Sequence, residues 1–88
     1  MHEMSLLADI LRKIESIARQ NKVDQVLKVR IKLGALSHIS PEHFREHFEA
    51  AAPGTPAAGA KLEIEALTDI NDPHAQKIIL DSVELPSE

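Results

Sequence analysis

The sequence predicts an α+β fold in which two helices pack on one face of a small β-sheet. Apolar residues recur at helical spacing near the start of the chain, and they alternate with charged residues in two later segments. A second helical segment lies between those two. A chain of 88 residues supports one hydrophobic core, so we expect a single domain over residues 1–88.

The first helix is predicted from Ser5 to Gln20. Ser5 is the expected N-cap, and Asn21 is the expected stop. The apolar residues recur at i, i+3, i+4 and i+7 and form one stripe, namely Leu7, Ile10, Leu11, Ile14, Ile17 and Ala18. Such a stripe indicates a face that packs on the core; a helix lying on a membrane surface is the alternative.

Alternation of apolar and charged residues predicts two strands, over residues 26–33 and 61–67. In the first strand the expected buried residues are Leu27, Val29, Ile31 and Leu33. Its basic residues Lys28, Arg30 and Lys32 indicate a solvated sheet face, with a ligand-binding stripe as the alternative. We expect Glu63 and Glu65 of the second strand to lie opposite these basic residues.

The second helix is predicted to start at Ser40, which is followed by Pro41. Serine at the N-cap and proline at the first helical position are a strong start signal. Phe44 and Phe48, one turn apart, are the expected buried anchors, and the helix should end before Pro53.

The last predicted element spans residues 78–85. Its apolar residues Ile78, Leu80, Val83 and Leu85 are spaced by two, three and two, which predicts a strand with a β-bulge; a short helix is the alternative. A turn cluster over residues 68–73 precedes it. We expect this strand to form an antiparallel hairpin with residues 61–67, or to be exchanged between two copies in a homodimer.

Composition excludes several classes of function. The net charge of −4 argues against a nucleic-acid-binding surface. The sequence has no apolar run long enough to span a membrane and no secretory signal pattern, so a cytoplasmic protein is expected. With no cysteine there can be no disulfide, thiolate zinc site or thiol nucleophile. No phosphate-binding loop or nucleophile motif is present, and we expect no enzymatic activity.

The histidines are the candidate metal ligands, and there are five: His2, His38, His43, His47 and His74. His43 and His47 stand at i, i+4, the spacing at which two imidazoles can share a metal on one helix face. No glutamate directly follows His43, so the pair is not a zinc-protease motif. The simpler interpretation of His43 and His47 is two surface or half-buried histidines without a metal. His38 and His74, in predicted loops, are most simply surface histidines.

His2 is distinguished by its position. The α-amine of Met1, the backbone nitrogen of His2 and the His2 imidazole Nδ1 can close fused five- and six-membered chelate rings. The backbone nitrogen of Glu3 can add a further donor. Ni(II) and Cu(II) accept a planar field of nitrogen donors, whereas Zn(II) prefers a tetrahedral one.

Several motifs in order resemble the HypA/HybF family of nickel metallochaperones for [NiFe]-hydrogenase maturation, some of which also serve urease. The residues that carry the resemblance are 1–6, 29–37, 41–42, 54–55 and 59–65. The resemblance implies a domain with two helices packed on one face of a small, three- to four-stranded mixed β-sheet. It further implies that Met1, His2 and Glu3 hold Ni(II). It also implies two partners, a HypB-like maturation GTPase and the hydrogenase large subunit.

The chain departs from that family in one large respect. Family members carry a zinc domain with two Cys-x-x-Cys pairs before the closing strand, and here a short connection at about residues 68–76 stands in its place. We therefore expect no zinc and a variant without the zinc domain. The predicted function is nickel metallochaperone, with a metal-independent interaction module or a nickel buffer as alternatives.

Overall fold

A computed structural model describes the backbone of residues 2–86 and the side chains of residues 6–86. Within these residues, two helices and a three-stranded mixed sheet confirm the predicted α+β class. The elements in chain order are α1 (His2–Gln20), β1 (Lys28–Leu33), α2 (Pro41–Ala51), β2 (Lys61–Ala66) and β3 (Ile78–Glu84). α1 packs against β3 and α2, and α2 packs against β2.

Helix α1 begins at His2, three residues before the predicted start, so the prediction of Ser5 as N-cap was wrong. Histidine, glutamate and methionine all tolerate helical backbone, and an acidic residue in the first turn suits the helix dipole. The predicted end is confirmed at Gln20. The side-chain amide of Asn21 donates to the carbonyl of Ile17 at 2.8 Å.

The chain leaves α1 through a Schellman motif. The N–H of Val23 donates to the carbonyl of Ala18 at 3.0 Å, and the N–H of Lys22 donates to that of Arg19 at 3.2 Å. Lys22 takes the left-handed conformation at φ 57° that this motif requires. Glycine is the usual residue there because it lacks the Cβ that makes this conformation costly.

The strand order is β2-β1-β3, with β1 in the centre. β1 runs parallel to β2, with Ile31 opposite Ile64, and antiparallel to β3, with Val29 opposite Val83. The predicted hairpin between the last two strands was therefore wrong, because β3 pairs with β1 of the same chain. Exchange of β3 between two copies stays a prediction.

The close approach of the connecting segment 67–77 to Gly34 explains this order. Leu67 at its start donates to the carbonyl of Leu33 at 2.8 Å, and Gly34 donates to the carbonyl of Lys77 at 2.9 Å. The segment therefore crosses the end of β1 and reaches its far edge. A Cβ on Gly34 would overlap the carbonyl of Ala75, so only glycine leaves room for the crossing.

The core lies between the helices and one face of the sheet. Phe44 and Phe48 are 1% and 2% exposed, which confirms them as the anchors of α2. Leu27 is 52% exposed, so its predicted burial was wrong; the strand begins at Lys28, and Val26 is buried in its place. The buried side chains of the other elements include Leu7, Ile10, Ile14, Ala18, Val29, Ile31, Leu33, Leu62 and Ile78.

The β-bulge predicted in the last strand is confirmed. Arg30 lies opposite Ser82, whereas the next residue, Ile31, lies opposite Leu80. Asp81 is therefore the extra residue of β3. The bulge lets Leu80 and Val83 both pack against the core although they are three positions apart in the sequence.

The left-handed conformation of Lys22 predicts that Lys22→Gly stabilises the protein. We expect a gain in the free energy of unfolding of about 0.5–1 kcal/mol, because glycine removes the Cβ penalty of the Schellman position. Lys13→Gly is the matched control: the same exchange on the exposed face inside α1 should cost about 1 kcal/mol. Urea unfolding of both variants checks this, and a loss of stability in Lys22→Gly would contradict it.

Candidate metal sites

The predicted nickel ligands fall at the start of α1. Met1 lies outside the described residues, and so do the side chains of His2 and Glu3. The backbone of His2 and Glu3 forms the first turn of the helix. The ligand set Met1, His2 and Glu3 therefore stays a prediction, and of this set the structure describes the backbone of His2 and Glu3 alone.

The helix that carries this end is anchored soon after its start. Leu7 and Ile10 are 2% and 3% exposed and belong to the core, and Leu6 packs against it. The first turn of α1 thus extends from a fixed part of the domain. A metal bound there would be held at a defined place on the domain surface.

His43 and His47 lie side by side on α2, as their spacing predicted. Their Nε2 atoms are 2.9 Å apart, a hydrogen-bond distance, and their ring centroids are 4.5 Å apart. His43 is exposed and His47 is half-buried. This is the pair of imidazoles that the structure brings together, and both nitrogens are of the type that binds divalent metals.

His38 and His74 lie in separate loops and are both exposed. His38 adopts a left-handed conformation at φ 63°, and the N–H of His74 donates to the carboxylate of Asp72 at 2.7 Å. Within the part of the chain that the structure describes, no three His, Asp or Glu side chains converge as a metal site. The prediction that these two are surface histidines is confirmed.

The basic residues of β1 are partly exposed and paired with acids, as predicted for a solvated sheet face. Lys28 contacts Glu63 at 3.4 Å, as predicted. Glu63 and Glu65 lie opposite Arg30 and Lys32 in the register of β1 and β2, as predicted. The ion pairs of Arg30 and Lys32, however, are with Asp81 of β3, each at 3.6 Å. The spacing of apolar residues in β3 indicated a bulge. It could not show that the bulged residue, Asp81, would form ion pairs with both Arg30 and Lys32.

Arg45 separates the two histidines in the sequence but points elsewhere. Its guanidinium donates to the carbonyl of Leu62 on β2 at 3.1 Å. The one basic residue of α2 therefore ties the helix to the edge of the sheet. Its charge is directed away from the imidazole pair.

The comparisons with known proteins decide the family. Residues 1–70 match the family model described as hydrogenase/urease nickel incorporation, metallochaperone, HypA. The chain belongs to the HypA family. The match ends in the segment after β2, so β3, which completes the sheet, lies beyond the matched residues.

Individual relatives agree with this assignment to HypA. The chain is 40% identical over 65 residues to the hydrogenase maturation factor HypA of Methanopyrus kandleri, covering 74% of this chain and 46% of that protein. It is 47% identical over 64 residues to hydrogenase maturation factor HypA 2 of Bradyrhizobium diazoefficiens, covering 73% and 57%. The chain thus spans about half the length of the curated relatives it matches.

One further finding concerns membranes. Among the residues that the structure describes, neither helix combines the length and the apolar character that crossing a bilayer requires.

The ion pairs of Asp81 predict a modest, salt-dependent effect of Asp81→Asn. Loss of the carboxylate leaves Arg30 and Lys32 as unpaired like charges, and we expect a loss of about 0.5–1 kcal/mol at low salt. The loss should shrink in 1 M salt, where the screening length falls to about 3 Å. Urea unfolding at both salt concentrations measures it; Glu15→Gln on the exposed face of α1 is the control and should cost less. An effect independent of salt would contradict the ion-pair account.

Proposed function

We propose that this chain is a nickel metallochaperone of hydrogenase maturation, with Ni(II) as its cargo. Membership of the HypA family over residues 1–70 is the observation that carries the proposal. In this proposal the α-amine of Met1, the backbone nitrogen of His2 and the His2 imidazole bind the nickel. The backbone nitrogen of Glu3 is the further donor, and the role is non-enzymatic.

The position of these residues at the helix end supports the proposed site. The first four N–H groups of an α-helix have no acceptor within the helix. His2 and Glu3 are the first two residues of α1, so their amides have no partner to lose inside the helix. Nickel can therefore replace those amide protons without breaking a hydrogen bond on which the helix depends.

The donor set favours nickel over zinc. Deprotonated amide nitrogens, an amine and an imidazole provide a planar nitrogen field, which suits Ni(II) and Cu(II). Structural zinc is bound by four ligands in a tetrahedron, most often with cysteine thiolates. This chain has no cysteine, so the proposed function does not use a thiolate zinc site in this chain.

The rest of the proposal concerns delivery. A HypB-like GTPase and the hydrogenase large subunit are the proposed partners, in the cytoplasm, and urease is a second proposed target of the same nickel. The relatives from Methanopyrus kandleri and Bradyrhizobium diazoefficiens are named hydrogenase maturation factors, which supports a hydrogenase as the target. The family description names both enzymes. In this proposal the connection at about residues 68–76 replaces the zinc domain.

A nickel titration with a blocked amine tests the binding step. Protein whose chain begins with an unmodified Met1 should bind one Ni(II) tightly, with Zn(II) much weaker. Acetylation of the α-amine should abolish this tight binding, because acetylation removes the terminal donor of the five-membered chelate ring. His2→Ala should do the same, while His38→Ala, in an exposed loop, is the control and should bind nickel normally. Calorimetry gives the stoichiometry and affinity.

Two results would contradict the terminal site. Tight nickel binding that survives acetylation places the metal elsewhere in the chain. Zinc binding as tight as nickel binding would contradict a planar nitrogen chelate at the terminus. If no nickel binds at all, the protein is a metal-independent interaction module. If nickel binds at the terminus but never reaches a hydrogenase large subunit supplied with a HypB-like GTPase, the protein is a nickel buffer.

A further inference from the structure

We propose that His43 and His47 form a second metal site, a bidentate bis-imidazole chelate on the surface of α2. The cations that suit it are divalent ions that accept two imidazoles at a right angle, Cu(II) first and Ni(II) next. The site is separate from the terminal chelate and does not depend on the proposed delivery function.

The separation of the two nitrogens carries the proposal. The Nε2 atoms of His43 and His47 lie 2.9 Å apart. Two imidazole nitrogens bound at about 2.0–2.1 Å and meeting at a right angle are separated by about 2.9 Å, whereas a tetrahedral angle needs about 3.3 Å. The observed separation therefore fits adjacent donors of a planar or tetragonal ion, the geometry of Cu(II) and Ni(II).

The helix holds the pair in place before any metal arrives. Phe44 and Phe48 follow the two histidines by one residue each and are almost completely buried. The side-chain oxygen of Ser40 caps the start of the helix by accepting from the N–H of His43 at 3.1 Å. Both ends of the pair are thus fixed on one face of a packed helix, which lowers the entropic cost of chelation.

The charges of α2 favour a cation at this place. Glu42, Glu46 and Glu49 give the helix three carboxylates. Its one basic residue, Arg45, directs its guanidinium to the carbonyl of Leu62 on β2. A divalent cation at the imidazoles therefore meets a net negative helix surface.

The coordination sphere of the site is open. Within the described residues no third His, Asp or Glu side chain joins the pair. His43 is exposed, so the remaining positions are accessible from solvent. Water, or a donor from another molecule, completes the sphere, and we expect binding weaker than at the terminal chelate.

A Cu(II) titration on protein without the terminal site tests this inference. The background is the full chain, acetylated at the α-amine and carrying His2→Gln, so that failure of the terminal site does not affect the result. This protein should bind one Cu(II), and Ni(II) at least as tightly as Zn(II). His43→Gln or His47→Gln should each weaken Cu(II) binding on the order of tenfold or more, because the second imidazole acts as an intramolecular ligand.

His38→Gln and His74→Gln are matched controls, since both histidines are exposed and neither is paired with the other two. We expect their copper affinity to equal that of the background protein. The thermal midpoint should rise with Cu(II) in the background and control proteins, and much less in the two α2 variants. Far-ultraviolet circular dichroism without metal checks that the variants fold.

The proposal is overturned if the background protein binds no copper. It is also overturned if the α2 variants and the loop controls lose affinity equally, which would indicate unspecific imidazole binding. If the site binds Zn(II) more tightly than it binds Ni(II), the proposed right-angle coordination is wrong and the proposal is overturned.

Discussion

The fold depends on β1 being hydrogen-bonded along both of its edges. β2 lies parallel on one side because α2 and its flanking loops return the chain to the same end of the sheet. β3 lies antiparallel on the other side because the segment 67–77 crosses the end of β1 over Gly34. Val29, Ile31 and Leu33 of this strand are at most 2% exposed, so the strand that orders the sheet also forms the floor of the core.

The type and approximate bounds of each element could be predicted because they rest on local patterns, such as the stripe of α1, the Ser40–Pro41 start of α2 and the 2-3-2 spacing of β3. The strand order could not. A short connection after β2 favoured a hairpin, and the correct partner depends on a contact between Gly34 and Ala75, which are distant in sequence. The start of α1 was predicted wrongly at Ser5 because a capping residue shows only where a helix can begin. It does not require the helix to begin there.

The sites divide in the same way. The i, i+4 spacing predicted that His43 and His47 would be neighbours, but the 2.9 Å between their Nε2 atoms also depends on the conformations of the two side chains. The contacts of Asp81 with Arg30 and Lys32 could not be predicted from the sequence, because they depend on both the bulge in β3 and the strand order. The terminal ligand set rests on the motif at residues 1–3 and on family membership, and the long helix α1 provides a structural setting that suits it.

The two proposed metal sites differ in their donors. The terminal site uses backbone amide nitrogens at the start of α1, and the second site uses the paired imidazoles on α2. Nuclear magnetic resonance of ¹⁵N-labelled protein with one equivalent of Ni(II) distinguishes them most directly, because a planar nickel ion bound to amide nitrogens is diamagnetic. With nickel at the terminal site, we expect the amide signal of His2 to disappear through loss of its proton. Nearby signals of α1 should shift while remaining sharp, and the signals around His43 and His47 should not change. A persistent His2 amide signal, with paramagnetic broadening centred on His43 and His47, would contradict nickel binding at the terminal site.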